Sequence, residues 1–293
     1  MAAKDVFELL FFRSIVWTCT ILPYPFCLIK GRILGQMFYF FDKKHRTIAL
    51  SNLNNALGDE LSDKNRQKIA SRSFKHFGEF LFSLIKFSSW KEPKRNRSLE
   101  IEGEENLMNV LKEKKGALLF SAHYGNWEIA PFYLKTLSEM SVIARPLDNP
   151  RLEKALHKVR AGIGARVIPK KSASKQTLRA LSKNEMVAVL IDQNVLKSQA
   201  VFVDFFGRKA ATTPALAVFH LRSKAPLVPV FCYPVSFRRY KIKIMKPLEF
   251  QPTGDHDQDI QNITQACTTI IETQIRKRPE FWLWFHNRWK TQP

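Results

Sequence analysis

Gly116-Ala117-Leu118-Leu119-Phe120 runs directly into Ser121-Ala122-His123-Tyr124-Gly125-Asn126-Trp127-Glu128, and the reading of this junction organises the chain. The apolar run reads as a buried strand, and Gly125-Asn126 supplies a break before the apolar-periodic segment at 127–137. A histidine therefore sits where a strand ends and a helix begins. On one continuous helix, at roughly 100° per residue, His123 and Glu128 would lie about 140° apart, so they pair only if the chain turns between them. The Gly-Asn step allows that turn. A neutral imidazole would then accept a proton from a hydroxyl while the carboxylate orients the ring and stabilises the imidazolium. The same spacing fits a capping histidine beside a solvated glutamate at a helix start, and spacing alone favours that capping reading over catalysis.

The 293 residues suffice for one sizeable core with a small accessory unit. A composition of 45% hydrophobic residues, with 23 Phe, excludes a disordered chain. Against 26 Asp+Glu stand 47 Lys+Arg, a net charge of +21, which calls for an anionic partner: nucleic acid, an anionic membrane face or an acidic substrate. Cys19, Cys27, Cys232 and Cys267 are scattered without a C-x-x-C or zinc-type spacing, which suits a reduced, cytoplasm-facing domain. Asp255, His256, Asp257 and Asp259 follow Pro-Thr-Gly and precede a helical pattern. They read as helix-start carboxylates, and no metal is expected.

Residues 6–41 are the most apolar part. Arg13 and Lys30 bracket an uncharged 16-residue stretch that contains Pro23 and Pro25, shorter than the roughly 20 residues of a straight membrane span. No small-residue cleavage site follows, so residues 1–41 are expected to form an uncleaved anchor helix that dips into or marginally crosses the inner leaflet. A buried amphipathic helix docked on the domain is the alternative. Residues 42–97 read as a helical lead-in, with Ser62-Asp63 capping its longer helix and the basic stretch 91–97 as a turn-rich boundary. Residues 98–293 then alternate strand-like and helix-like segments. Strands are expected at 117–120, 141–144, 165–168, 186–191, 226–233 and 240–245, and helices from Asn149-Pro150 to 161 and from Thr213-Pro214 to 222. The expected fold is α/β, a mixed, largely parallel sheet flanked by helices.

In such sheets chemistry gathers at the carboxyl ends of the strands. His123 follows the first expected strand and Arg145 the second, the latter either a clamp for a phosphate or carboxylate or one half of a surface ion pair. Asp192-Gln193 follows the fourth, and the chain then runs to Arg208, Thr212 and Thr213. These groups converge on one cleft only if the three strands are parallel.

The chain resembles the bacterial late acyltransferases of lipid A biosynthesis, the lauroyl/myristoyl transferase group of the lysophospholipid-type acyltransferase superfamily. The resemblance rests on Ala122 to Glu128, Arg145-Pro146-Leu147-Asp148-Asn149-Pro150, Asp192-Gln193, Phe205-Phe206-Gly207 with Thr213-Pro214, Ala225-Pro226-Leu227-Val228-Pro229-Val230 and the tail Trp284-Phe285-His286-Asn287-Arg288-Trp289-Lys290-Thr291. The ordered set covers nearly the whole chain. It implies a glycerolipid acyltransferase-like fold and an H-x4-E site in which His123 is the general base and Glu128 its orienting partner. Arg145, Asn126, Asp192, Gln193, Arg208, Thr212 and Thr213 fall to substrate binding. The donor would be a fatty acyl thioester on acyl carrier protein or coenzyme A, as co-substrate with no further cofactor. The acceptor would be a hydroxyl of a lipid A precursor at the bacterial inner membrane, with the catalytic domain facing the cytoplasm and His123 facing a cleft open to the membrane surface. The Pro-Glu-Gly and Gly-x-Ile-x-Arg blocks of the wider superfamily are absent, and their roles would pass to residues 192–207 and to Arg145.

No Gly-x-Ser-x-Gly elbow is present and no cysteine adjoins a histidine, which favours direct transfer over an acyl-enzyme. The alternatives are transfer to another phospholipid, glycolipid or aminolipid, hydrolysis with water in place of the acceptor, and a basic nucleic-acid-binding protein. Against the last, the basic residues are spread along the chain and no helix-turn-helix, zinc-finger or RNA-recognition pattern occurs.

Overall fold

The apolar runs assemble into a seven-stranded sheet. The computed structural model describes residues 3–160, 165–170 and 173–293. The strands are β1 (Leu99–Glu102), β2 (Ala117–Ser121), β3 (Met140–Ala144), β4 (Arg166–Pro169), β5 (Met186–Leu190), β8 (Leu227–Ser236) and β9 (Arg239–Ile244). β8, β2, β5, β3 and β4 run parallel, while β9 pairs antiparallel with β8 and carries β1 alongside it. The condition for convergence is therefore met: the loops after β2, β3 and β5 leave the same edge. β1 falls outside the expected strands because its four residues, Leu-Glu-Ile-Glu, offer too short an alternation to read. A two-stranded hairpin, β6 (Val201–Phe205) with β7 (Arg208–Thr212), stands apart from the sheet, in a stretch where no strand was expected.

Helices α6 (Glu104–Lys112), α7 (Ala130–Leu137), α8 (Pro150–Arg160), α9 (Ala173–Leu181), α10 (Ala215–Ser223) and α11 (His256–Lys277) cover the sheet. Asn149 starts α8 as its sequence suggests, its Oδ1 accepting from the amides of Arg151 at 3.1 Å and Leu152 at 3.2 Å. The expected last residue of that helix, Ala161, lies outside the described residues. The Asp255 carboxylate caps α11 by accepting from the amides of Asp257 and Gln258, so the acidic cluster is a helix start.

The N-terminal stretch is two helices rather than one. α1 (Ala3–Ile21) ends at Leu22, and Pro23, with φ −57° and ψ 152°, starts α2 (Tyr24–Phe41). Among the described residues no helix is long and apolar enough to cross a membrane. The pair is held by α4 (Asp63–Ser88), whose Lys86 Nζ donates to the carbonyls of Cys19 and Leu22 at the end of α1. α2 and α4 cross backbone to backbone. A Cβ on Gly78 would stand 1.9 Å from the Gly31 carbonyl oxygen, and one on Gly35 2.1 Å from that of Phe74. Each helix nonetheless leaves an apolar stripe outside: Phe7, Leu10, Phe11, Trp17 and Ile21 on α1, and Phe26, Ile29, Ile33, Met37 and Phe40 on α2 are exposed.

α3 (Lys43–Leu57) and α4 serve the site indirectly by gripping the C-terminal tail. Asn52 Nδ2 donates to the carbonyls of Trp284 at 2.7 Å and His286 at 2.6 Å, and Ser73 Oγ donates to that of Trp282 at 2.6 Å. Trp282 and Trp284 are among the largest fully buried side chains, packed with Phe74, Phe205, Phe206 and Phe285. Burial of each such aromatic stabilises the fold by roughly 1.5–3 kcal/mol, so the tail is part of the core. Residues 91–97, expected as a turn-rich boundary, form a short helix, α5 (Glu92–Arg97), begun by Pro93 and laid against the start of β1.

Candidate active site

The loop after β2 turns because Gly125 adopts φ +60°, where a Cβ would stand 2.2 Å from the Cys232 carbonyl oxygen on β8. Only glycine fits both demands. Its amide donates to the Phe281 carbonyl at 2.9 Å, the Asn126 amide donates to that of Cys232 at 2.7 Å, and the Leu283 amide donates to that of His123 at 3.2 Å. The loop is thus pinned between β8 and the tail, and His123 projects from it with its side chain one-fifth exposed.

The partner of His123 is Asp192, at the end of β5 beside β2. Asp192 Oδ1 lies 2.9 Å from His123 Nδ1, and Oδ2 accepts from the His123 amide at 2.9 Å and from the Trp282 indole N–H at 2.8 Å. Burial pushes this carboxyl up, but the charge of His123 and the three N–H donors outweigh it and hold Asp192 down at about 2. Asp192 is therefore ionised at neutral pH. An anion at that distance fixes the tautomer, with Nδ1–H donating to the carboxylate and Nε2 left as the basic nitrogen. Near Nε2, at 3.3 Å, lies the side-chain nitrogen of Gln193. The imidazole meets Trp127 edge to face at 5.1 Å between centroids, and Trp127 stacks on Phe80 of α4 at 4.1 Å, which walls one flank of the ring.

Glu128, expected to orient His123, is engaged elsewhere. Arg160, the last residue of α8, grips its carboxylate with both Nε, at 3.0 Å from Oε2, and Nη2. The turn opened by Gly125 is real, but the carboxylate brought to the ring comes from the neighbouring strand. Asn126 is buried, its Nδ2 donating to Ser83 of α4 at 2.9 Å, so in this conformation it braces the loop. Arg145 follows β3 but is exposed and pairs with Asp148 at 2.7 Å. Arg208 opens β7 and lines a cavity of about 320 Å³ with Asn55, Trp289 and Gln292 rather than joining His123. Thr212 is fully buried and bonds the Ala210 carbonyl and Arg288, while the Thr213 hydroxyl accepts from the Ala215 amide at the start of α10. The Thr212 hydroxyl has structural partners because the hairpin packs on the tail, and that of Thr213 because it sits at the start of α10.

Three residues with no expected individual role surround the pair. Trp282 aims its N–H at Asp192. His286 accepts from the Asn194 amide at 3.0 Å, and burial first, with the charges of His123 and Arg288 adding, lowers it to about 4, so it is neutral at pH 7. Arg288 is buried with Nη1 on the Ala211 carbonyl at 2.7 Å and its guanidinium over Phe205. Burial lowers it to about 10, against the pull of the Asp192 charge, which leaves it a cation at neutral pH. The sequence signal was the aromatic-rich run at 281–289, whose position beside β5 cannot be read from its order in the chain. A histidine–carboxylate pair whose carboxylate is buried and whose second ring nitrogen meets, among the described residues, only the Gln193 side chain can remove a proton from a hydroxyl or from water once that side chain yields.

A model of the bacterial lipid A biosynthesis acyltransferase family matches residues 7–291. The chain is 28% identical over 282 residues to the lipid A biosynthesis lauroyltransferase of Escherichia coli (strain K12), covering 96% of this chain and 90% of that protein. The lipid A biosynthesis palmitoleoyltransferase of the same strain is 25% identical over the same shares. A phosphatidylinositol mannoside acyltransferase of Mycobacterium tuberculosis (strain ATCC 25618 / H37Rv) is 24% identical, covering 74% of this chain and 69% of that protein. With the match reaching from the first apolar helix to the end of the tail, the chain belongs to the bacterial lipid A biosynthesis acyltransferase family and is an O-acyltransferase.

Proposed function

We propose that this acyltransferase moves a fatty acyl chain from an acyl carrier protein or coenzyme A thioester to a hydroxyl of a lipid A precursor, in one direct step at His123. The observation that carries the reading is the Asp192–His123 pair, 2.9 Å apart and bound at both carboxylate oxygens, which leaves Nε2 as the base. His123 Nε2 takes the acceptor hydroxyl's proton as its oxygen attacks the thioester carbonyl. An O–C bond forms, the C–S bond breaks, and the imidazolium returns the proton to the departing sulfur. Asp192 stabilises the imidazolium throughout. The Gln193 amide occupies the hydrogen-bonding position at Nε2 that the hydroxyl must take, so it shifts on binding and becomes available to donate to the thioester oxyanion. Glu128 and Arg160, as a fork-matched ion pair, position the segment after the loop.

The acceptor is read from the family and from the net charge of +21, which suits acyl carrier protein, coenzyme A, anionic lipid and phosphorylated sugar alike. The exposed stripes of α1 and α2 support a protein that lies on a membrane surface, and the family reading makes that surface the bacterial inner membrane with this domain on the cytoplasmic side. The mycobacterial relative gives weight to a second reading, transfer to another glycolipid. A labelled-acyl transfer assay offering both thioesters to a panel of lipid acceptors tests the proposal. Transfer to a lipid A precursor is expected, and His123→Ala should lose two or more decades of rate. Near-wild-type transfer by that variant would overturn the mechanism, and an acceptor preference for a phosphoinositide glycolipid would establish the second reading.

A further inference from the structure

The β8–β9 hairpin overhangs the edge of the sheet that carries His123. β8 runs parallel to β2, and its Cys232 bridges Gly125 of the catalytic loop. The strand then continues through Ser236, about 13 Å further at roughly 3.3 Å per residue. At the turn, Phe237 is 55% exposed and Arg238 takes a left-handed conformation, φ +62°. This turn touches the N-terminal helices. The Phe237 ring meets the edge of Tyr24 at 5.7 Å, and the Tyr24 hydroxyl bonds that of Tyr240 on β9. Tyr24 opens α2, between exposed Ile21 and exposed Phe26. Cations ring the same spot: Arg238 lies over Phe237 and Tyr24, and Lys94 lies 4.6 Å over Trp90, which itself packs on Tyr24 at 5.2 Å.

The other end of α1 is also fixed at this edge. Asn149, in the loop after β3, donates through Nδ2 to the Asp5 carbonyl at 2.9 Å and to Glu8 Oε2 at 3.1 Å. Both ends of α1 are thus moored at the carboxyl edge of the sheet. Apolar groups rimmed by cations stacked on rings are the arrangement that suits the boundary of an anionic bilayer, where aromatic and cationic side chains sit at headgroup depth.

We propose that the turn at residues 235–239 is a second lipid-seating element. Phe237 enters the headgroup boundary of an anionic leaflet beside Ile21 and Phe26, and Arg238 and Lys94 take lipid phosphates. The proposal deepens the reading above and rests on its membrane-bound acceptor: a protein seated at both the helical stripes and this turn holds the His123 edge against the surface from which a lipid hydroxyl arrives. An acidic protein docked at the same cations is the outcome that competes with it.

The four native cysteines are buried, so Phe237→Cys supplies an exposed thiol for an environment-sensitive fluorophore on the full-length protein. Vesicles of phosphatidylglycerol and phosphatidylethanolamine should shift its emission to the blue and expose it to quenching by lipids spin-labelled near the headgroup, whereas phosphatidylcholine vesicles should do so less. Emission that stays water-like with bound vesicles, or that responds only to acyl carrier protein, overturns the proposal. Phe237→Ser with Arg238→Asn should lower partitioning onto the anionic vesicles about tenfold or more, since one cation near such a surface is worth roughly a factor of five, with an unchanged melting temperature. Ile33→Asp on the α2 stripe separates the two levels. If it weakens binding while the turn variant binds like wild type, the turn proposal fails and the membrane reading stands. If the wild-type protein does not sediment with anionic vesicles at all, both fail.

Discussion

Asp192→Asn separates the arrangement found in the structure from the one the H-x4-E spacing suggested. The carboxylate receives three N–H groups, from the His123 ring, the His123 amide and the Trp282 indole. An asparagine of the same shape has one accepting oxygen and one donating nitrogen, so the nitrogen must face at least one donor. The ring resolves that conflict by moving its proton to Nε2, which removes the base. The charge is lost as well. A carboxyl held at about 2 against an ordinary 3.8 carries about 2 kcal/mol of net favourable interaction with its surroundings, and forfeiting that in the transition state costs a factor of about 30. Adding the reversed tautomer, kcat should fall by about 10³–10⁴ with little change in KM for the lipid acceptor. The fold should lose only about 1–3 kcal/mol, the cost of a mispaired buried donor. Initial rates of labelled acyl transfer, read beside thermal melts, measure both. Under the alternative in which Glu128 orients the ring, Glu128→Gln would show the decades-scale loss and Asp192→Asn a small one. That pattern, or a loss of activity no larger than the loss of folded protein, would refute the assignment.

Two further expectations concern stability. Gly78→Ala places a methyl 1.9 Å from the Gly31 carbonyl oxygen and should force α2 off α4 at a cost of about 3 kcal/mol, lowering the melting temperature by about 6–10 °C. Gly207→Ala, which meets nothing within 4 Å but must adopt φ +70°, should cost only about 1 kcal/mol. Burial lowers both His76 and His286 from 6.5 to about 4. The unfolded chain therefore binds more protons between these values, and their contribution is complete above pH 6.5 and is lost as pH falls toward 4, with a slope of up to about 1.4 kcal/mol per pH unit for each. Chemical denaturation at several pH values should show that decline, and His76→Phe should flatten it. A decline confined to pH below 4 would instead assign acid unfolding to carboxylates such as Asp192.

The sequence by itself determined the α/β class, six strands of the main sheet to within a few residues, and the starts of the helices at Asn149, Ser62 and Asp255, because each depends on local periodicity or a cap within three residues. It also put His123 at a strand end before a glycine turn. Only the tertiary structure decided what that histidine faces. Glu128 and Asp192 are both carboxylates that follow His123 in the chain, and nothing in their spacing shows that β5 lies beside β2 while α8 brings Arg160 to Glu128. The same holds for Trp282, His286 and Arg288, which reach the site because α3 and α4 grip the tail from more than two hundred residues away in the chain. Asn126, Thr212 and Thr213 were expected at the substrate from the resemblance, and packing gave them structural partners. Strand order and tail docking are set by long-range burial, whose energy depends on which apolar faces meet, and no local pattern encodes that meeting.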